Sequence, residues 1–371
     1  MIGIPCVYMR GGTSKAVFFH KKDLPEDRTL WNEIFLRVMG SPDPKQIDGM
    51  GGTVSSTSKI AVISPSAHEG ADVDYYFAQV DITQANVSDN LNCGNISSAV
   101  GPFAVDEGLV KAVEPMTVVR IYNENTGKRI EAQVEVRDGK AAVYGETAID
   151  GVPGTGSEIK LFFENPCGAI TGKTFPTGRK KDLFDIPGYG PIEMSIVDIS
   201  NLAVFVRAED VGMTGAELSE INGDKRLMEH LERIRCVAAE KAGLVSSWEQ
   251  AGTACKASPK IGILSAPQSY TDLSGAAVRA ENMDICCRML SLGVLHKSYP
   301  MTYAIATGVA AKIEGTIVHE IASLEPDCDR IVLGHASGYT AVNVRMRGES
   351  AEKAGIVRTA RRIMDGTVYI R

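Results

Sequence analysis

The tetrapeptide Asn92-Cys93-Gly94-Asn95 combines a thiol with small and amide-bearing neighbours, immediately before a segment that has the pattern of a buried helix. A helix starts with unpaired N–H groups and the positive end of its dipole, and both stabilise a thiolate or a bound carboxylate. Gly94 lets a ligand approach the backbone, while Asn92 and Asn95 supply polar groups. We therefore expect Cys93 to transfer a proton at a helix start. A small packing residue beside a turn is the commoner alternative.

Lys59 is the second candidate for proton transfer. It opens an apolar, strand-like segment after a run of small polar residues, 51–58, that can shape a cleft. A lysine leading into an apolar strand is partly desolvated, which favours the neutral amine that a carbon-acid base requires. The alternative is a solvated lysine at the end of a strand.

The segment 10–15, RGGTSK, has the composition of an oxyanion-binding loop. Arg10 supplies a fixed charge, Thr13 and Ser14 supply hydroxyls, and the two glycines leave backbone N–H groups accessible. Alternatively, the glycines only form a turn. We take Arg10, Thr13 and Ser14 as candidate carboxylate-binding residues.

Two further patterns do not support nucleotide or metal chemistry. The segment 168–174, GAITGKT, is one residue short of a phosphate-binding loop and lacks a convincing flanking strand and helix. The histidines, at positions 20, 68, 230, 296, 319 and 335, include no pair at metal-ligand spacing. The sequence therefore predicts neither a metal site nor a cofactor.

The elements that must position these residues alternate irregularly between helix-like and strand-like patterns. Segments 116–147 read as an antiparallel meander with turns at 125–127 and 138–139. Apolar residues at three- and four-residue steps predict helices at 30–39, 95–107, 227–242 and 283–296. The last of these would place Cys286 and Cys287 on a helix. Hairpins mixed with helices favour an α/β fold of the α+β type with mostly antiparallel sheet.

An internal repeat indicates two similar halves. Segment 58–64 resembles 259–265, each with a lysine that opens an apolar strand, and segment 95–110 resembles 303–318, with Glu-Gly near the end of both. The Gly- and Pro-rich stretch 150–190 separates the halves. We therefore predict an N-terminal domain of residues 1–185, which carries Lys59 and Cys93, and a C-terminal domain of residues 186–371.

Composition restricts the partners and the compartment. The 371 residues are 44% hydrophobic and 23% charged, with a formal net charge of −7 spread along the chain, so nucleic acid is not an expected partner. No segment is apolar and long enough to cross a bilayer, and no leader peptide is evident. The eight cysteines lack a disulfide or zinc spacing. We expect a cytoplasmic protein with free thiols, and leave homo-oligomerisation open.

A series of motifs resembles the PrpF family nearly end to end. They are RGGTSK at 10–15, GSPD at 40–43, QIDG at 46–49, TSKIAVI at 57–63, VDYYFAQV at 73–80, NCGN at 92–95, VGPFAVDEGLV at 100–110, HK at 296–297, GHASG at 334–338 and RTARRIMDG at 358–366. The resemblance implies a diaminopimelate epimerase-like fold of two related domains, each a curved, mostly antiparallel sheet around a central helix, with the active site between them. It also implies a cofactor-independent isomerase.

The substrate implied by the family is a small unsaturated di- or tricarboxylic acid, with methylitaconate first and 4-oxalomesaconate or methylaconitate as alternatives. Lys59 and Cys93 match the family's catalytic pair. The candidate substrate-binding residues are Arg10, Thr13, Ser14, Asn92, Gly94, Asn95, Lys297, Ser298, His335 and Ser337. Ala336 replaces the proline usual in GHPSG, which puts the roles of His335 and Ser337 in doubt.

Two other functions compete with an allylic isomerase. Epimerases of the related fold use a cysteine before the central helix of each half, whereas the repeat aligns Pro300 with Cys93, so a two-thiol racemase is disfavoured. A noncatalytic accessory protein that holds a carboxylate is the alternative from another class. Retention of both Lys59 and Cys93 favours catalysis over this alternative, because carboxylate binding alone requires neither a carbon-acid base nor a thiol.

Overall fold

The structure, a computed structural model, describes residues 1–89, 93–149, 151–256, 258–291, 293–325 and 327–371. The chain forms two compact units, the first of residues 1–164 and 357–371 and the second of residues 165–356. The sequence predicts domains of residues 1–185 and 186–371, whereas the structure divides the chain at 164/165 and places residues 357–371 in the first unit. Residues 165–190 of the Gly- and Pro-rich stretch belong to the second unit. Cys167 forms an isolated β-bridge with Ile199, and a strand at 182–186 pairs with the next strand of that unit.

The α-helices among the described residues are α1 (Trp31–Met39), α2 (Gly94–Asp106), α3 (Lys225–Lys241), α4 (Trp248–Ala254), α5 (Met301–Ala311) and α6 (Ile317–Ile321). Short 3₁₀ helices span Lys21–Asp23, Arg28–Leu30, Ser55–Thr57, Glu209–Val211, Ser219–Gly223 and Ala280–Asn282. The strands of the described ranges are β1 (Ile2–Gly11), β2 (Ser14–His20), β3 (Lys59–Pro65), β4 (Val73–Val80), β5 (Val87–Ser88), β6 (Met116–Asn123), β7 (Lys128–Arg137), β8 (Lys140–Ala141), β9 (Ile159–Glu164), β10 (Asp182–Ile186), β11 (Gly190–Ile199), β12 (Asn201–Arg207), β13 (Lys260–Ser265), β14 (Tyr270–Thr271), β15 (Ala277–Val278), β16 (Ile285–Ser291), β17 (Val294–Leu295), β18 (Arg330–His335), β19 (Gly338–Arg347), β20 (Ser350–Arg358) and β21 (Ala360–Ile370).

The main sheet of the first unit follows the order β21-β1-β2-β3-β4-β6-β7-β9. The pairs β2–β3 and β4–β6 are parallel and the others are antiparallel. Each parallel pair is joined by a helical crossover, α1 in the first case and α2 in the second. The mostly antiparallel sheet therefore agrees with the expected fold class.

The second unit repeats this plan with different residues. Its strands follow the order β10-β11-β12-β13-β16-β18-β19-β20, and the parallel pairs, β12–β13 and β16–β18, stand at the same places in the order. Helices α3 and α4 connect the first parallel pair, and α5 connects the second. The internal repeat read from the sequence thus corresponds to two units with the same order and direction of strands.

A buried helix lies at the centre of each unit. Helix α2 packs against strands from both halves of its sheet, β1, β2 and β21 on one side and β6, β7 and β9 on the other, and α5 contacts β11, β12, β18 and β19. Almost every side chain of α2 and α5 is buried, which is why both sequences consist of small and apolar residues. The serines of α2 satisfy their hydroxyls on backbone carbonyls within the helix.

Three of the predicted helices are confirmed, but the fourth is wrong. Segment 283–296 forms the strands β16 and β17 instead of a helix, and Cys286 and Cys287 lie on β16. Every side chain from Ile285 to Leu290 is buried, because β16 lies between β13 and β18 in the interior of the sheet. A strand covered on both faces has no polar alternation, and its continuous apolar run imitates the helical pattern.

The meander predicted at 116–147 is present in its first two strands, β6 and β7, while the third is reduced to the two residues of β8. Asp138 and Gly139 both adopt positive φ, as a tight hairpin turn between β7 and β8 requires. No helix in the described ranges is long and apolar enough to span a membrane.

Candidate active site

Lys59 is the first residue of β3 and only 7% of its surface is exposed. Its Nζ donates a hydrogen bond to Oε1 of Gln79, the residue directly opposite on β4, and lies 5.2 Å from the centre of the Phe77 ring. Gln79 and Phe77 are two residues apart and therefore share one face of β4. The sheet register thus places both of them against the lysine.

Cys93 is the N-cap residue of α2. Its carbonyl accepts hydrogen bonds from the amide of Ser97 at 2.9 Å and from the Ser97 hydroxyl at 3.0 Å, while the residue itself is half-buried. The predicted placement of the thiol at a helix start is therefore correct. Burial, followed by the charge of the neighbouring Cys93, raises the pKa of Tyr75 well above its usual value. Tyr75 lies on the same face of β4 as Phe77.

The RGGTSK segment forms the tight turn between β1 and β2 and packs against the first turn of α2. Nδ2 of Asn95 donates to the Thr13 hydroxyl at 3.0 Å. A side chain at Gly11 would overlap the carbonyl oxygen of Asn95, and one at Gly12 would overlap its amide group. Glycine at both positions therefore permits this close approach, which brings Thr13 and the start of α2 together.

Arg10 forms hydrogen bonds mainly with backbone carbonyls at this turn. Its Nη1 donates to the carbonyls of Gly12 and Thr359, each at 2.9 Å, and the Gly12 amide donates to the same Thr359 carbonyl at 3.0 Å. Burial lowers the pKa of Arg10, and the nearby Arg361 lowers it further. Arg10 therefore fixes the shape of the turn and keeps a positive charge inside it. Ser14 is almost fully buried at the base of the turn.

Of the predicted residues in the first unit, the structure brings Arg10, Thr13, Ser14, Cys93, Gly94 and Asn95 together at the start of α2. Asn92, also predicted, lies outside the described residues. Lys59 is linked to this group through β4, whose one face carries Tyr75, Phe77 and Gln79.

The predicted residues of the second unit form their own cluster. The Ser337 hydroxyl donates to the carbonyl of Lys297, and the Ser298 amide donates to Nδ1 of His296 at 3.1 Å. His335 is 1% exposed, its Nε2 lies 2.9 Å from the Thr340 hydroxyl, and its Nδ1 accepts from the Ser337 amide at 3.2 Å. His335 thus stabilises the turn that carries Ser337. The side chain of Lys297 is exposed to solvent.

Alanine at position 336 is compatible with this turn. His335 pairs with Gly338, so Ala336 and Ser337 are the two turn residues, and the Ala336 carbonyl accepts from the Leu273 amide at 2.9 Å. The cluster is therefore held without the proline that is usual in the motif.

Sequence reasoning missed the polar neighbour of Lys59. Gln79 carries the only side-chain amide in the segment VDYYFAQV, and its residue type alone indicates no role in chemistry. Because side chains alternate between the two faces of a strand, Gln79 faces the same side as Tyr75 and Phe77. Only the register of β4 with β3 shows that Lys59 lies on this side.

The segment that resembles a phosphate-binding loop is occupied by a side chain of the protein itself. Oδ2 of Asp198 accepts hydrogen bonds from the amides of Ile170 and Thr171 and from the Thr171 hydroxyl. Asp198 is fully buried, so the loop surrounds an internal carboxylate. Among the described residues, no group of three or more His, Cys, Asp or Glu side chains is arranged to hold a metal ion.

Comparison of the sequence with known proteins identifies a matching family. The family model described as PrpF protein matches residues 1–371. The chain is 47% identical to a 3-methylitaconate isomerase of Eubacterium barkeri, over 99% of this chain and 97% of that protein. It is 39% identical to a 2-methyl-aconitate isomerase of Shewanella oneidensis, over 100% of this chain and 97% of the relative.

A solved structure supports the same assignment at the level of the fold. The crystal structure of a methylitaconate-delta-isomerase superposes with a TM-score of 0.95 at 47% identity, covering 100% of this chain and 96% of the other.

Proposed function

The chain belongs to the PrpF family, and on that premise we propose that it is a cofactor-independent isomerase in which Lys59 and Cys93 move a proton along an unsaturated di- or tricarboxylic acid. The observation that carries the proposal is the 47% identity to a 3-methylitaconate isomerase over nearly the whole of both chains. Methylitaconate is therefore the first candidate substrate, and methylaconitate and 4-oxalomesaconate are the alternatives.

The reaction requires removal of a proton from a carbon and its delivery to another. A base takes the proton from the carbon that is both allylic and next to a carboxylate, which gives a dienolate. An acid then protonates the far end of the allyl system. In methylitaconate, the terminal methylene thereby becomes a methyl group and the double bond moves inside the chain. One amine and one thiol, Lys59 and Cys93, are sufficient for the two transfers.

The dienolate places negative charge on carboxylate oxygens, and fixed donors must stabilise it. We assign this role to the first amides of α2, at Gly94 and Asn95, whose N–H groups have no partner within the helix. The Thr13 hydroxyl, already bonded to Asn95, is a further donor. Arg10 adds positive charge from within the turn.

In the second unit, we keep Lys297 and Ser298 as proposed substrate contacts. The backbone of Lys297 is fixed by the Ser337 hydroxyl, and the amide of Ser298 by the ring of His296. His335 acts indirectly, since its ring is buried and both ring nitrogens have partners. Its proposed function is to shape the turn and not to touch the substrate.

A proton NMR assay in D₂O tests the proposal. The protein is incubated with methylitaconate, methylaconitate and 4-oxalomesaconate in turn, with and without EDTA. We expect double-bond migration with deuterium at one end of the allyl unit, unaffected by the chelator. A racemase would exchange deuterium at one stereocentre and leave the unsaturation unchanged, and an accessory binding protein would shift ligand resonances without any turnover. Either result would overturn the proposal.

A further inference from the structure

Gln79 holds the amine of Lys59 with an amide whose orientation is fixed. Its Oε1 accepts from Nζ of Lys59, while its Nε2 donates to the carbonyl of Ser58 at 2.9 Å and to that of Ser55 at 3.1 Å. Because the amino group already faces two carbonyls, rotating the amide would place oxygen against oxygen. The amide oxygen is therefore directed at the lysine.

A second glutamine holds the segment that supplies those carbonyls. Gln46 is 1% exposed, and its Nε2 donates to the Ser58 hydroxyl at 2.8 Å. Its Oε1 accepts from the Thr53 amide at 2.9 Å. The segment 53–58 is thus connected to Gln46 on one side and to Gln79 on the other, which makes the position of the Gln79 amide rigid.

The direct partners of the Lys59 amine in the described part of the chain are uncharged. Lys59 forms no ion pair with a carboxylate there, and its partners are the neutral amide of Gln79 and the ring of Phe77. A carboxylate at the place of Gln79 would favour an ammonium partner strongly, whereas a neutral amide oxygen does so much less and still directs the amine.

We propose that Gln79 is a positioning residue for proton transfer by Lys59, fixing Nζ with a neutral acceptor. The inference rests on the proposed function, because it requires Lys59 to exchange a proton with the substrate. It adds a requirement that the acceptor be uncharged.

Two substitutions separate the position of the acceptor from its charge. Gln79→Glu retains the shape and adds a negative charge beside Nζ, so the limb of the pH–rate profile that depends on this amine should move to higher pH by about 1–3 units. Gln79→Leu removes the acceptor, so kcat should fall by about 100-fold with KM near its wild-type value, as expected for a misplaced catalytic group. Gln84→Glu, the same charge change at an exposed position five residues along the chain, is the control and should retain the wild-type profile.

A second measurement does not depend on activity. Wild type, Gln79→Glu and Gln84→Glu are labelled with trinitrobenzenesulfonate across a pH series, and modification of Lys59 is quantified by peptide mass spectrometry. The midpoint for Lys59 should move to higher pH in Gln79→Glu alone. If it does, but Lys59→Ala retains full turnover, the contact is real and the proposed role of Lys59 in catalysis is wrong.

Three outcomes would overturn the inference. In folded Gln79→Glu, an unchanged labelling midpoint would show that residue 79 does not act on Lys59. In Gln79→Leu, wild-type kcat would show that the acceptor is not needed, and a raised KM with unchanged kcat would make Gln79 a substrate contact instead. If Gln79→Glu fails to fold, the kinetics of Gln79→Leu decide.

Discussion

Cys93 and Pro300 occupy the same place in two units that share one strand order, since each is the N-cap residue of the helix at the centre of its unit. The alignment of the internal repeat predicts this correspondence, and the two helix starts confirm it. The second unit therefore has no thiol at the position where the first has Cys93. Only one of the two equivalent positions carries a thiol. This asymmetry is consistent with proton transfer between two different carbons. It is not consistent with a symmetric pair of thiols that act on one carbon.

Substitution of either proposed catalytic residue should abolish most turnover without unfolding the protein. We expect Cys93→Ser and Lys59→Ala to lose about 10²- to 10⁴-fold in kcat, the usual cost of one acid/base group. Cys328→Ser and Lys111→Ala are the matched controls and should remain near wild type. Steady-state kinetics with circular dichroism provide the measurement, and near-wild-type activity in Cys93→Ser or Lys59→Ala removes that residue from the mechanism.

Cys93 should be the first of the eight cysteines to react with iodoacetamide. Cys93 is half-buried and lies beside the unpaired amides at the start of α2. Burial raises the pKa of Cys6, Cys286 and Cys287, and raises that of Cys236 to about 11, which disfavours their reactive thiolate forms. Peptide mapping at short reaction times identifies the first site, and a bound dicarboxylate should protect it. Rapid alkylation of another cysteine while Cys93 stays unmodified would contradict the prediction.

Alanine at Gly11 should disturb the site more than an ordinary glycine substitution. Its Cβ would overlap the Asn95 carbonyl, a backbone atom that can move only with the start of α2. We expect a loss of about 1–3 kcal/mol in the free energy of unfolding and a lower kcat. The control is Gly252→Ala on α4, where a methyl group meets open space and a helical alanine should stabilise by about 0.5–1 kcal/mol. Equal effects of the two substitutions in urea unfolding would show that the contact is unimportant.

Stability should fall in mild acid because of His296. Burial lowers the pKa of this ring, and Lys260 acts in the same direction, so the unfolded state binds the proton more readily than the folded state. The contribution of the neutral His296 ring to the free energy of unfolding is complete above the pKa of about 6.5 in the unfolded state. It is lost as pH falls toward the lower pKa in the folded state. The urea concentration at the unfolding midpoint, measured at several pH values, should decrease less in acid for His296→Gln than for the wild type. Burial also lowers the pKa of His230. The urea midpoint of the double variant with His230→Gln should therefore decrease even less in acid.

The sequence predicts the elements of the site better than their surroundings. A cysteine before a small apolar segment is a local signal, and Cys93 does cap a buried helix. The lysine that opens an apolar segment is also local, and Lys59 does begin β3. The partner Gln79 is twenty residues further along the chain and meets Lys59 only because β3 and β4 pair in one register. Such a contact depends on tertiary structure, which spacing alone does not determine.

The wrong helix at 283–296 has an equally physical cause, and so does the resemblance of 168–174 to a phosphate-binding loop, which the sequence itself correctly argues against. The segment around Cys286 and Cys287 is buried on both faces of a sheet, so its apolar run carries no period that separates a strand from a helix. The resemblance of 168–174 to a phosphate loop arises because the same arrangement of backbone amides serves the internal carboxylate of Asp198. In both cases the local pattern is real, but the neighbour that explains it is distant in sequence.

The pairing of β1 with β21 along nearly its whole length has a consequence for synthesis on the ribosome. The outer strand of the first unit comes from residues 360–370, so the sheet around α2 stays incomplete until the entire second unit has been translated. Residues 165–356 are continuous and can fold as soon as they emerge. Translation therefore completes the unit with Pro300 at its central helix before the unit with Cys93 at the equivalent position. The surroundings of Cys93 are finished only when the last strand has been made.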